Sequence, residues 1–256
     1  MDIYVLLKKT FDPEERIEIS DGEIDGDVAD FIINPYDEYA IEEAIIQRDK
    51  HGGKVTVVTI GDDHSEKQLR TALAMGADQA VLINTEEDLE EGDQYTTTKI
   101  LEAFFRNKEI DLIFAGNVAI DEASGQVGPR LATILDIPYI TTIVGLKIEG
   151  SMVKIEKDVE GDIEKIEASL PILLTCQQGL NEPRYPSLPG IMKARNKPLE
   201  ELDIDDLGLS EEVQPKTRTI DVFLPPEKKA GEILEGELED QVKELVSLLK
   251  TEVKIL

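Results

Sequence analysis

The chain has 256 residues, room for one large α/β domain or for a domain with a long accessory segment, and its 41% hydrophobic content is enough for a real core. A formal net charge of −28 sets it against phosphates and so against nonspecific nucleic-acid binding, leaving solubility or a basic docking partner as the use of the acid. A single cysteine, Cys176, excludes an internal disulfide, and no apolar run reaches the roughly 18 residues of a membrane span.

The N-terminus carries its lysines after a short apolar stretch, the wrong order for a secretory signal, so a cytoplasmic protein beginning at Met1 is expected. Ile3 to Leu7 reads as the first strand. Asn34-Pro35-Tyr36-Asp37 is a turn that opens a helix over Glu38 to Lys50, with Ala40, Ile41, Ala44 and Ile45 on one face and His51-Gly52-Gly53 as its stop. The β-branched run Val55 to Gly61 has the texture of a strand covered on both faces. The alternation then repeats: helix Ser65–Met75, strand Gln79–Ile83, helix Tyr95–Phe105, strand Asp111–Ala115 and helix Ser124–Leu135. Strands alternating with helices of this length indicate a doubly wound, mostly parallel sheet with helices on both faces.

Beyond Pro138 the pattern changes to an antiparallel β-meander, Ile140–Lys147, Met152–Val159 and Ile163–Ala168, after which Ile172–Cys176 returns to the main sheet. Prolines at 183, 186, 189 and 198 predict an extended arm with little regular structure to about Leu234. Leu234, Leu238, Val242, Leu245, Val246, Leu249 and Val253 then form one helical seam, to be buried on the chain's own core or around a partner.

In an open parallel sheet, ligands bind beyond the carboxyl ends of the strands, at the topological switch point. Here those ends are Leu6 to Lys9, Ile60-Gly61 and the loop Gly116-Asn117-Val118-Ala119-Ile120-Asp121, continued by Ser124-Gly125-Gln126-Val127-Gly128. Glycines at a helix start let backbone N–H groups approach a phosphate, although the same loop also reads as a tight structural turn. Asp121 and Glu122 favour a ligand with a single phosphate over a triphosphate. His51 and His64 border turns without metal-site spacing, and Cys176 in Ile-Leu-Leu-Thr-Cys reads as a small buried hydrophobe. No nucleophile–base set or carboxylate pair stands out, so neither catalytic residues nor a metal site are expected.

Four stretches carry a family resemblance: Asn34-Pro35-Tyr36-Asp37 with Ala40-Ile41-Glu42-Glu43-Ala44, Thr71 to Asp78, Gly116 to Gly128, and Leu180-Asn181-Glu182-Pro183-Arg184-Tyr185 through Leu188-Pro189-Gly190-Ile191-Met192-Lys193-Ala194. In these stretches, and in their order and spacing, the chain resembles the beta (small) subunit of electron transfer flavoproteins. The resemblance implies a non-catalytic partner of an alpha subunit that holds most of the redox FAD. AMP would bind at Leu6, Asn34, Pro35, Tyr36, Asp37, Ile60, Gly116 to Asp121 and Ser124 to Gly128. Tyr185, Leu188, Pro189, Ile191 and Met192 would dock acyl-CoA and related dehydrogenases of fatty acid β-oxidation, and electrons would pass on to a membrane quinone oxidoreductase. It divides the chain into a nucleotide-binding domain (1–180), a recognition loop and helix (181–200), and a C-terminal arm around the alpha subunit (201–256). Two alternatives stand beside it: a bifurcating subunit with a second FAD and NADH oxidation, and a free-standing nucleotide-binding stress-type protein, which would not need the C-terminal arm.

Overall fold

A computed structural model describes residues 1–14, 17–20, 23–24, 30–85, 92–209, 213–226, 231 and 233–253, and places the first strand, β1 (Asp2–Leu6), inside a nine-stranded sheet. The chain then makes the short strands β2 (Lys9–Phe11), β3 (Ile19–Ser20), β4 (Glu23–Ile24) and β5 (Phe31–Ile33), paired antiparallel as β2 with β5 and β3 with β4. These are too short to leave a periodic signal. The expected alternation follows: α1 (Pro35–His51), β6 (Lys54–Gly61), α2 (Glu66–Met75), β7 (Gln79–Asn84), α3 (Gln94–Phe105), β8 (Leu112–Gly116) and α4 (Val127–Ile134).

The second half holds β9 (Tyr139–Glu149), β10 (Met152–Val159), β11 (Asp162–Ser169), β12 (Ile172–Cys176), α5 (Leu188–Ala194) and β13 (Leu199–Leu202). The sheet order is β11-β10-β9-β12-β8-β1-β6-β7-β13; every pairing from β9 to β13 is parallel, and β10 and β11 add antiparallel at the β9 edge. Apolar side chains fill both faces. Ile3, Val5, Val57 and Phe114 meet Ile41 and Ile45 of α1 and Leu73 of α2 on one face. Val58, Ile113 and Leu173 meet Ile100 and Phe104 of α3 and Leu131 of α4 on the other. That double burial is why these strands read as continuous apolar runs.

Two expectations need correction. The fourth helix starts at Val127, not Ser124, because Ala123 (φ 53°) and Gly125 (φ 59°) stand in the left-handed region and a helix cannot run through them. The expected meander adds directly to the main sheet, since β9 pairs with β12 as well as with β10. The proline-rich arm is not devoid of structure. Pro189 sits in the first turn of α5, where a missing N–H does no harm, and Pro198 uses its carbonyl to accept from Ala80 N–H (3.0 Å) just before β13 joins β7.

Residues Met1–Asp221 form one compact unit and Val222–Leu256 a second. The second contains α6 (Leu238–Leu248) and a π-helical turn, Leu249–Val253, with Leu238, Val242, Leu245 and Val246 exposed along α6. No described helix is long and apolar enough to cross a membrane.

Candidate functional site

β6 and β7 lie on one side of β1, and the chain then crosses to β8 on the other. The loops leaving β1 and β8 therefore diverge, and a crevice must open between them at the carboxyl edge. A cavity of about 280 Å³ lies there. Leu6 to Lys8, Val58 and Ile60 form one wall; Gly116 to Ala119 and Ser124 to Gly128 form the other.

A buried polar staple holds these walls together. Asp37, in the first turn of α1, is 4% exposed, and its carboxylate accepts from Lys8 N–H (2.7 Å), Gly116 N–H (2.9 Å) and Asn34 Nδ2 (3.0 Å). Burial pushes its carboxyl up to about 7, against the pull of those donors. Asn34 also donates to the Val118 carbonyl (2.9 Å) and accepts from Ile120 N–H (3.2 Å), fixing the loop after β8. Thr175 of β12 donates to Asn117 Oδ1 (3.2 Å) from below.

Asn34 and Asp37 thus reach the cavity, while Pro35, Tyr36, Ile120 and Asp121 stand off its wall. Lys8 lies in the strand end that the sequence marks, but its charge partners were not foreseen. Its ammonium pairs with Asp121 (2.9 Å) and Glu122 (2.8 Å), and Glu122 also accepts from Gln94 Nε2 (2.8 Å), so one rail of charge spans the ends of β1, β8 and α3. Burial lowers the Lys8 pKa, but the bonds to Glu122 and Asp121 outweigh it and hold the ammonium above its ordinary value. Lys8 thereby offsets one of the two negative charges that speak against several phosphates. Asp93, Gln94 and Thr97 of the α3 start were missed as well; the signal was there, since Asp93 three residues before Thr96 is an N-cap pattern.

A second feature lies on the surface. Arg184 donates to buried Glu42 of α1 through Nε (2.7 Å) and a terminal nitrogen (2.8 Å), and Asn181 donates to the Tyr39 carbonyl (3.1 Å) and to Glu43 (3.0 Å). Downstream, the Ser187 hydroxyl caps α5 by accepting from Gly190 N–H (3.2 Å), and Arg70 of α2 donates to the carbonyls of Ala194 and Lys197 (both 3.1 Å). A Cβ at Gly190 would lie 2.5 Å from the Ala74 carbonyl oxygen, so only glycine lets α5 sit this close to α2. On this braced ledge Tyr185 is 94% exposed, Leu188 74% and Met192 67%, with Pro189 and Ile191 exposed beside them. These large apolar side chains form a contiguous exposed patch.

Cys176 is fully buried, and burial, with the charges of Glu43 and Asp37, pushes its thiol well above the ordinary range. His51 and His64 are exposed, and among the described residues no group of three or more His, Cys, Asp or Glu could hold a metal ion.

The protein-family profile described as electron transfer flavoprotein domain matches residues 24–207. The chain is 62% identical to the electron transfer flavoprotein subunit beta of Bacillus subtilis, with both chains covered in full. It is 39% identical to the subunit of the same name from Thermoanaerobacterium thermosaccharolyticum and 36% identical to the caffeyl-CoA reductase-Etf complex subunit CarD of Acetobacterium woodii, each over 98% of both chains. A match that covers the strand ends, the cleft loop and the ledge together settles the family: this chain belongs to the electron transfer flavoproteins, on the side of their beta subunits.

Proposed function

We propose that the chain is the small subunit of a cytoplasmic heterodimer whose alpha subunit carries the redox FAD, that its switch-point cleft holds AMP, and that the α5 ledge docks acyl-CoA and related dehydrogenases, whose electrons leave through a membrane quinone oxidoreductase. The AMP assignment is supported by the donor set. The first-turn amides of Val127 and Gly128 in α4 have no intrahelical partner, and Gly125 and Gly128 line the cavity beside them. The apolar stripe of α6 would serve as the embrace of the alpha subunit.

Gly125→Val and Gly128→Val are both expected to lose most of their AMP, for different reasons. At 125 a β-branched residue is forced to φ +59° with its Cβ 3.2 Å from the Asn117 carbonyl, a strain of roughly 1–3 kcal/mol. At 128 the Cβ would meet Thr175 Cγ2 at 3.1 Å and Leu173 Cδ2 at 3.3 Å, lifting α4 off β12. Nucleotide released by acid from each purified heterodimer is the readout, and a full complement in both variants would refute the placement.

The docking role rests on one observation above all: Leu188 is 74% exposed on a ledge that hydrogen bonds hold still. A pre-ordered apolar anchor gives up little entropy on entering a partner pocket. Leu188→Ala should therefore weaken a dehydrogenase partner by more than ~1 kcal/mol, about fivefold in affinity, with folding, flavin content and artificial-dye reduction unchanged. Dehydrogenase-dependent flavin reduction, followed against enzyme concentration, tests this. Superimposable curves for wild type and variant would move docking to another surface.

A further inference from the structure

Asp93 belongs at once to the cleft wall and to a strap from the far end of the chain. One carboxylate oxygen accepts from Thr96 N–H (2.9 Å) and Thr96 Oγ1 (3.0 Å), capping α3; the other accepts from Lys216 N–H (2.7 Å), Thr217 N–H (2.9 Å) and Thr217 Oγ1 (3.1 Å). The strap is seated on both sides of this latch: Val213 is 5% exposed in the α3–α4 core, and the Lys216 ammonium lies 5.0 Å from the centre of the Tyr95 ring on α3. Gln94 and Thr97, which the capped turn holds in place, border the cavity together with Asp93 itself. The same chain runs on from Asp221 into the second compact unit.

We propose that Asp93 is a positioning residue that couples filling of the cleft to latching of the strap 213–217. The inference rests on the nucleotide reading of the cleft. A ligand that leans on the first turn of α3 binds the latched form better, because in the unlatched form that turn loses the anchor which sets Gln94 and Thr97. Whatever favours the latched form for the ligand must favour it for the strap by the same factor. The carboxylate is essential to this double duty. Asparagine caps a helix as well as aspartate does, but it has a single acceptor oxygen, so it serves the α3 cap or the strap and not both.

The test is amide hydrogen exchange on the full-length chain in complex with its alpha subunit, with and without AMP, in wild type, Asp93→Asn and Thr217→Val. In wild type AMP should slow exchange of the Lys216 and Thr217 amides at least about fivefold, the low end of ordinary coupling factors. In Asp93→Asn that AMP-dependent protection should vanish, and AMP should bind about fivefold more weakly. Thr217→Val touches no part of the cleft and removes one of the three strap bonds, so its protection should be partial. A merely structural role would lower protection equally with and without AMP. Normal AMP binding with no change in exchange at 213–217, or undiminished AMP-dependent protection in Asp93→Asn, overturns the coupling alone. Failure of AMP to bind wild type overturns the coupling and the nucleotide reading together.

Discussion

Gly116→Val is expected to be the most damaging single change in the cleft. A Cβ at this position would collide with Asp37 Oδ1, and would lie 2.8 Å from Tyr36 Cβ and 2.9 Å from Asn34 Nδ2. None of these atoms is the loose end of a flexible chain, because Asp37 and Asn34 are themselves held by the loops they staple. The substitution therefore both overpacks the site and strips a buried carboxylate of the Gly116 N–H bond. The two effects together amount to about 3–5 kcal/mol, which for a chain of this size lowers the thermal midpoint by roughly 10 °C. Gly116→Ala should fall in the same direction by less. A Gly116→Val protein melting at the wild-type temperature would show that the α1 turn does not hold the end of β8 as described.

Arg184→Glu should also destabilise, unlike Leu188→Ala four residues on. Glu42 is 7% exposed in its side chain, and its two oxygens take all three donors from Arg184, counting the backbone N–H at 3.2 Å. Reversal leaves two carboxylates facing each other at the edge of α1. Breaking a buried pair costs about 3–5 kcal/mol; because the Arg184 side chain is 42% exposed, water screens part of this and about 2–3 kcal/mol is expected. Stability and dehydrogenase-dependent transfer should then fall together, and the reciprocal swap with Glu42→Arg should restore part of both. Denaturant titration separates the cases: a drop in transfer with an unmoved midpoint would make Arg184 a contact residue and not a brace.

The parallel centre of the sheet was legible because β1, β6, β7, β8 and β12 are buried on both faces and each α1 and α2 stop is a glycine, Gly52 or Gly76, at positive φ. β13 was not, because Leu199-Glu200-Glu201-Leu202 is a short edge strand whose outward glutamates hide its pairing with β7. The start of α4 was misjudged because nothing in Ala123 announces a positive φ; the surrounding loop imposes it. In the cleft, glycines and the Asn34–Asp37 turn could be placed from local pattern, and the wider set of cleft and ledge residues from family resemblance. The partners of Lys8 and Asp93 could not, since they lie more than a hundred positions away. Long-range charge partners leave no local trace, and here they form both the rail across the cleft and the latch on the strap.

The most direct test of the account is the ligand inventory of the complex. The full-length chain is co-expressed with its alpha subunit, and the purified heterodimer is measured for flavin by absorbance and for released nucleotide by mass spectrometry. One flavin and one AMP per heterodimer, with AMP lost in Gly125→Val and flavin retained, is the expected result. Two flavins per heterodimer and no AMP would contradict it, and would assign the switch-point cleft to a second FAD.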